Sequence, residues 1–292
     1  MNLLRGFTPI LRAVLGVLLL APAFAANDTN YIYLALGDSI AFGLNPNLLP
    51  TNPSQPLPSP SQFVGYPQVV AEAENWYKSN RFVNASCPGE TSGSFYIPGA
   101  PDYGCHSPGP QGQPPFKTWI GLHTNYSGTQ LEFAVSQLSA NKHIQVVTLG
   151  IGDNDALLVL ASCSTNPDPN CVQEQLPGML STYGQNLTQI LTAIRANFNG
   201  TLILALTYSP SPSLNSLAQA LNATTTAVGS NFGARYADGY SAFQLASALF
   251  QGDPCKAGLL IRLNASTCDI HPSPIGQDLL AATVELAMAR IP

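Results

Sequence analysis

Charged side chains are scarce in this sequence: only 9% of the 292 residues are Asp, Glu, Lys or Arg, and the net charge is −5. A nucleic-acid-binding surface needs a basic stripe that neutralises phosphates, and no such stripe is present. Disorder is also excluded, because 45% of the residues are hydrophobic and can form a packed core. The composition therefore indicates a compact globular protein that does not bind nucleic acid.

Long apolar runs are also missing after the N-terminus, since no later segment reaches the roughly 20 residues that a transmembrane helix needs. The one early run, Ala13–Leu20, follows Arg5 and Arg12 and precedes Ala23-Phe24-Ala25, a small-x-small cleavage pattern. We expect residues 1–25 to be a signal peptide and residues 26–292 to form a single domain. A retained membrane anchor is the competing interpretation. The signal peptide predicts a secreted or periplasmic protein without stable membrane insertion.

Several motifs that would indicate other chemistries are absent. The sequence has no C-x-x-C, which argues against zinc and thioredoxin-like sites. It has no H-E-x-x-H, P-loop or G-x-G-x-x-G, so we expect neither a metal nor any other cofactor. It also lacks the G-x-S-x-G elbow of the α/β-hydrolase fold.

The six cysteines are an even number behind a signal peptide, which favours disulfides. Six cysteines allow 15 connectivities, and the count alone does not choose among them. They nevertheless fall as three local pairs, each within one interval between predicted core elements. The predicted disulfides are Cys87–Cys105, Cys163–Cys171 and Cys255–Cys268.

Apolar runs alternate with amphipathic segments along the chain, which is the pattern of a parallel sheet covered by helices on both faces. We predict an α/β fold, a three-layer α/β/α sandwich with about five parallel strands. The predicted strands are Tyr31–Leu36, Arg81–Ala85, Ile144–Leu149, Thr201–Leu206 and Ala234–Ala237. The predicted helices are Tyr66–Lys78, Gln130–Ala140, Gln173–Phe198, Ser213–Phe232, Tyr240–Phe250 and Pro274–Arg290.

Two long stretches without a predicted element, 45–62 and 86–128, follow proposed catalytic segments. Loops of this length in a compact domain are usually functional or mobile. Two interpretations of their aromatic residues stay open: the rings line a substrate pocket, or they fill small satellite cores beneath the loops. These aromatics are Phe63, Phe95, Tyr96, Tyr103, Phe116 and Trp119.

A serine follows the first apolar run, in the segment Leu36-Gly37-Asp38-Ser39-Ile40. The glycine permits a tight turn that lifts Ser39 out of the sheet edge. A serine hydroxyl is a weak nucleophile unless a base takes its proton and donors stabilise the oxyanion. His271, which precedes Pro272 and the last predicted helix, is the candidate base.

Candidate oxyanion donors follow other predicted strands. They are the backbone N–H of Ser39, the backbone N–H of Gly89 and the side-chain amide of Asn154. Because sites in open α/β sheets form outside the carboxyl ends of the strands, we expect these groups to meet there.

Together, Gly37-Asp38-Ser39, Gly89, Gly152-Asp153-Asn154-Asp155 and His271-Pro272 resemble the SGNH (GDSL) hydrolase family. The resemblance runs the length of the mature chain as four short blocks. It implies a flavodoxin-like sheet and ester hydrolysis by the serine and histidine, with the serine, glycine and asparagine as oxyanion donors. Secreted bacterial members are similar also in carrying three disulfides.

The sequence departs from the family pattern beside the histidine. The family usually places an aspartate three residues before it, where this chain has Cys268, and Asp269 lies only two residues before His271. In an extended segment, residues two apart face the same side, so Asp269 can orient the imidazole. The alternative is a backbone carbonyl near Cys268 and a Ser–His dyad.

We therefore predict a secreted serine esterase or lipase that hydrolyses acyl or acetyl esters of small molecules or lipids. Two rivals share the fold: a catalytically silent ligand-binding protein, for which the irregular Asp–His spacing is the support, and an acyltransferase. Composition and motifs do not indicate the oligomeric state.

Overall fold

The computed structural model describes residues 32–52, 54–77, 81–110 and 112–289. The predicted signal peptide, residues 1–25, lies outside the described residues, as does Tyr31 at the start of the first predicted strand.

A five-stranded parallel sheet forms the centre of the molecule. Its strands are β1 (Ile32–Gly37), β2 (Phe82–Asn84), β3 (Ile144–Gly150), β4 (Thr201–Leu206) and β5 (Arg235–Asp238). Their order across the sheet is β2-β1-β3-β4-β5. The inner strands β1, β3 and β4 are buried on both faces, so they are runs of apolar residues rather than alternating sequences. The strand order changes direction between β1 and β3, and ligand sites in such sheets form at this topological switch point.

Helices cover both faces of this sheet, and the side-chain alternation of β1 decides which residue meets which layer. Tyr33 and Ala35 pack in one core cluster, and Leu34 and Leu36 pack in the other. The α/β/α sandwich predicted from the sequence is thus confirmed. The helices are α1 (Ser39–Phe42), α2 (Tyr66–Ala73), α3 (Phe116–Trp119), α4 (Gln130–Ala140), α5 (Asp153–Ser164), α6 (Cys171–Asn197), α7 (Asn215–Ser230), α8 (Gly239–Ser247) and α9 (Pro274–Ala289).

The predicted helices occur near their expected positions, but several bounds differ. Helix α2 ends at Ala73 instead of Lys78, because Asn75 adopts a left-handed conformation with φ 58°; Lys78 itself lies outside the described residues. Helix α6 continues through Pro177 in its second turn.

Besides the four-residue helix α1, two elements that matter for the site were missed by the sequence analysis. Helix α5 was missed because its apolar run, Ala156–Leu160, lacks the polar face by which amphipathic helices are recognised. A two-stranded antiparallel hairpin, β6 (Leu260–Arg262) and β7 (Cys268–Pro272), was missed because its strands are too short for a period of two to be visible.

The structure contains three disulfides, and they join the pairs expected from the sequence order. Cys87–Cys105 is fully buried and cross-links two parts of the long loop 86–128, Cys163–Cys171 joins α5 to α6, and Cys255–Cys268 holds the hairpin. Within the described ranges, no helix is both long and apolar enough to cross a bilayer.

Five of the six loop aromatics pack into hydrophobic cores. Phe63 and Phe116 are buried with Phe42 and the Cys87–Cys105 disulfide in a satellite cluster, and Trp119 packs against it. Phe95 and Tyr96 pack in one of the main cores. None of these five rings lines either of the two cavities that adjoin Asp38 and Ser39. The satellite-core interpretation is therefore the better one for these five rings.

Candidate active site

Ser39 is the first residue of α1, immediately beyond the end of β1, and only 8% of its surface is exposed. Asp38 caps the helix, because its carboxylate accepts a hydrogen bond of 3.0 Å from the Ile40 backbone N–H. Gly37 has φ 141°, and a Cβ there would overlap the carbonyl oxygen of Gly150 on the adjacent strand. Only glycine allows the turn that presents Ser39 at this edge.

His271 comes from β7, outside the main sheet, and its imidazole is directed at Ser39. Its Nε2 lies 2.9 Å from the Ser39 Oγ, although the two residues are 232 positions apart in sequence. The hydroxyl of Tyr208 donates a hydrogen bond of 2.5 Å to the carbonyl of Ile270 and so holds the strand beside the site.

Asp269 occupies the other side of the imidazole. Its Oδ1 contacts His271 Nδ1 and also accepts the His271 backbone N–H at 2.9 Å. Burial opposes ionisation of this carboxyl, but its hydrogen bonds with His271 and the charge of that imidazole outweigh burial and lower the pKa of Asp269. The carboxylate, rather than a backbone carbonyl, therefore contacts Nδ1, despite the irregular spacing.

Asn154 and Gly89 follow two strands that flank β1. Asn154 lies in the first turn of α5, directly after β3, and its Nδ2 donates a 2.9 Å hydrogen bond to the Glu90 carbonyl oxygen. Gly89 has φ 86°, and a Cβ there would lie 2.6 Å from the Tyr103 carbonyl carbon. Asn154 lines the same cleft as Ser39, and Gly89 is joined to Asn154 through its neighbour Glu90.

Three aspartates, Asp38, Asp153 and Asp155, are sequence neighbours of the candidate active-site residues Ser39 and Asn154. Burial, and then the negative charge of Asp153, raise the pKa of Asp38 well above its ordinary range. Burial raises the pKa of Asp153 to about 6, against a hydrogen bond from Thr207. Asp155 accepts the backbone N–H of Ser92 at 2.8 Å, so it braces the loop after β2.

An apolar cleft of about 600 Å³ opens beside Ser39. One side is helix α5, through Ala156, Leu157 and Leu160, and the other side is the segment from Pro210 into α7. The wall is thus formed by the helix that the sequence analysis missed, and not by loops 45–62 and 86–128. Further lining residues are Leu214, Leu217, Ala218, Leu221 and Ile270.

The other histidines lie away from this cleft, but two of them have partners that the sequence did not reveal. His123 Nε2 lies 2.9 Å from the amide nitrogen of Gln68 and 2.9 Å from the Phe42 carbonyl oxygen. His106 Nε2 lies 3.2 Å from the buried carboxylate of Glu90. His143 is exposed.

Among the described residues, one group has three potential metal-ligand atoms within 4.8 Å of one another, namely those of Cys87, Glu90 and Cys105. Its two sulfurs form a disulfide with each other and so offer no thiolate. The expectation that no metal or other cofactor is needed stays a prediction.

Comparison with known proteins identifies the family. The model of the GDSL-like lipase/acylhydrolase family matches residues 35–279, a range that includes Ser39, Asn154 and His271. The chain belongs to this family. This GDSL hydrolase is accordingly a carboxylic ester hydrolase, as its sequence motifs predicted. No curated protein matches its sequence.

Solved structures share the fold of this GDSL hydrolase at low sequence identity. A protein described as a GDSL-like lipase, from Parabacteroides merdae, has a TM-score of 0.51 at 16% identity, and the match covers 89% of this chain and 97% of that one. LAE5, described as an α/β hydrolase enzyme from the metagenome of Lake Arreo in Spain, has a TM-score of 0.53 at 15% identity, with 87% and 93% covered. These similarities support the fold alone.

Proposed function

We propose that this GDSL hydrolase cleaves carboxylic esters through an acyl-enzyme on Ser39, with His271 as general base and Asp269 as the group that orients it. The observation that carries the proposal is the continuous contact from the Ser39 Oγ through the imidazole to the Asp269 carboxylate. Contact in this order supports the roles of nucleophile, general base and orienting acid for the three groups.

In this mechanism His271 Nε2 takes the proton as the Ser39 oxygen attacks the ester carbonyl. The imidazolium that forms is stabilised by Asp269, which is ionised and contacts Nδ1. The oxyanion of the tetrahedral intermediate is stabilised by the backbone N–H groups of Ser39 and Gly89 and by the Asn154 amide. His271 then returns the proton to the departing alcohol, and water releases the acid by the same steps.

The cleft beside Ser39 favours an apolar acyl chain over an acetyl group on a glycan. Its walls are aliphatic, and apart from Ser39 and Asn154 its polar residues are Asp153, Thr207 and Tyr208 at the end near the nucleophile. From Asn154 to Leu160 the cleft follows α5 over six residue steps, which corresponds to about 9 Å of helix. We propose esters of unbranched medium-length acids as substrates.

The test is hydrolysis of p-nitrophenyl esters from acetate to palmitate by the wild type and by Ser39→Ala. Each buried methylene contributes about 0.8 kcal/mol, so kcat/KM should rise about fourfold per added methylene until the cleft is full. Ester hydrolysis that is equally fast in the Ser39→Ala variant would refute the serine mechanism.

A substitution in α5 tests the cleft itself. Leu160→Trp should move the optimum to shorter chains and leave acetate hydrolysis unchanged, because the bulky ring fills the distant part of the cleft. Val159→Trp, on the same helix but outside the cleft lining, is the control and should keep the wild-type profile. An optimum that both variants leave in place would exclude this cleft as the acyl site.

We also propose that residues 26–292 form one mature domain that works outside the cytoplasm. Three disulfides are compatible with an oxidising compartment and are rare in proteins of the cytosol. N-terminal sequencing of protein recovered from the medium or periplasm of an expressing host tests cleavage after Ala25; an intact N-terminus on the exported protein would refute it.

A further inference from the structure

Glu90 is a fully buried carboxylate to which the ester mechanism gives no role. It directly follows the candidate oxyanion donor Gly89, on the loop after β2. A carboxylate with no solvent contact is costly unless hydrogen-bond donors surround it. The donors around Glu90 come from three separate segments, which makes the residue a junction between parts of the active site.

The first group of contacts lies on the carboxylate itself. Oε1 accepts a hydrogen bond of 2.5 Å from the Ser94 hydroxyl and lies 3.2 Å from His106 Nε2. Oε2 accepts a hydrogen bond of 3.2 Å from Gln130 Nε2 and lies 3.5 Å from the sulfur of Cys105. Each oxygen therefore meets one hydrogen-bond donor and one further neighbour, an arrangement that suits an acceptor-only group.

Gln130 extends this network to the nucleophile. It is fully buried at the start of α4, and its amide nitrogen donates to the Gly37 carbonyl oxygen at 2.9 Å. Its amide oxygen accepts the Gly37 backbone N–H at 2.6 Å. Gln130 is therefore hydrogen-bonded to both the N–H and the carbonyl oxygen of Gly37, the glycine of the turn before Ser39.

The main chain of Glu90 extends the network to the oxyanion donors. Its carbonyl oxygen accepts a hydrogen bond of 2.9 Å from the Asn154 side-chain amide, and its nitrogen forms the peptide bond with Gly89. The Glu90 side chain and main chain together connect the turn of Ser39 with two of the three proposed donors. Their relative positions decide whether the donors point at the oxyanion.

We propose that Glu90 is a positioning residue that fixes the oxyanion donors Gly89 and Asn154 relative to the Ser39 turn through Gln130. The inference rests on the proposed serine mechanism. A carboxylate is required because an amide in its place would direct an N–H group at one of the surrounding donors. Displacement of a donor by about 1 Å is expected to lower the rate on the order of 100-fold.

The test compares Glu90→Gln with Asp102→Asn on a p-nitrophenyl ester that the wild type hydrolyses. Asp102 is the matched control: it is also a buried carboxylate of loop 86–128, but it accepts the backbone N–H groups of Gly104, His106 and Ser107 and not Gln130. We expect Glu90→Gln to lower kcat between 10- and 100-fold with KM within about twofold of wild type. Asp102→Asn should lower the melting temperature and keep kcat within about twofold.

A double-mutant cycle separates positioning from general destabilisation. If Glu90 acts through the oxyanion donors, the loss of kcat caused by Glu90→Gln should largely disappear when Asn154 is already replaced by Ala. The same loss should remain in full when Asp269 is already replaced by Asn. Should Glu90→Gln fail to fold, Gln130→Met tests the same link at its other member, with the same loss of kcat expected.

Three results would overturn the proposal. They are a kcat for Glu90→Gln within twofold of wild type, equal coupling to Asn154 and Asp269, and failure of both Glu90→Gln and Gln130→Met to fold. Each would make the role of Glu90 purely structural. Loss of the proposed function itself would look different, since ester hydrolysis would then persist in Ser39→Ala.

Discussion

Replacement of Asp153 by asparagine should stabilise this hydrolase at neutral pH. Asp153 lies at the end of the cleft next to Ser39, and burial raises its pKa from 3.8 to about 6. The charged groups that act on it are Asp155, which raises this pKa, and His271, which lowers it; Thr207 supplies a hydrogen bond. At about 1.4 kcal/mol for each tenfold change in the acid constant, the difference corresponds to about 3 kcal/mol.

The direction in which stability changes with pH depends on whether the folded or the unfolded state holds the proton of Asp153. Below about pH 4 the carboxyl is protonated in the folded and unfolded chain, so it contributes no difference. Between about pH 4 and 6 the folded protein keeps a proton that the unfolded chain releases, so the free energy of unfolding falls as the pH rises. Above pH 6 the full cost of the buried charge is present.

Asparagine removes this cost but weakens the hydrogen bond with Thr207, and the side chain of Asp153 is only half-buried. We therefore expect Asp153→Asn to raise the free energy of unfolding by about 1–3 kcal/mol at pH 7–8, with the gain vanishing toward pH 4. Urea denaturation of both proteins at several pH values measures the difference. The exposed Glu174, replaced by Gln, is the control for loss of one negative charge. A difference that does not depend on pH, or a variant less stable at pH 8, would refute the reasoning.

Three further predictions concern single features of the structure. Asp269→Ala should lower kcat by at least 100-fold, and Asp269→Asn by a similar factor, because the imidazole loses its orienting carboxylate. Steady-state kinetics measure the effect, and a variant that keeps most of the turnover would favour a Ser–His dyad. Gly37→Ala should destabilise the fold by more than about 2 kcal/mol, because its Cβ would overlap Gly150 at φ 141°; wild-type thermal stability would contradict the account of the turn. Joint replacement of Cys163 and Cys171 by serine should lower the free energy of unfolding by about 2.5 kcal/mol, since the disulfide closes a loop with a sequence separation of 8. The value of kcat should not change, because the disulfide lies outside the site; a lower kcat would show that the position of α5 depends on the disulfide.

The parallel sheet and the residues that follow its strands could be predicted from the sequence, because buried strands are apolar runs and sites form at their carboxyl ends. The place of Asp269 beside the imidazole also followed from the geometry of an extended segment. The cleft could not be predicted: α5 carries apolar residues where a surface helix would be polar, since these residues face the space beside Ser39. Glu90 gave no signal either, because its partners Ser94, His106 and Gln130 are brought to it only by the folded loop.

The hairpin that carries His271 has a consequence for how this chain acquires its activity. Ser39 directly follows the first strand of the sheet, and its base comes from a segment 232 residues later, so the contact between the two residues is distant in sequence. Such contacts require closure of a large chain loop and tend to form late in folding. During refolding, the return of ester hydrolysis should therefore follow the return of secondary structure, so that turnover reports on completion of the whole domain.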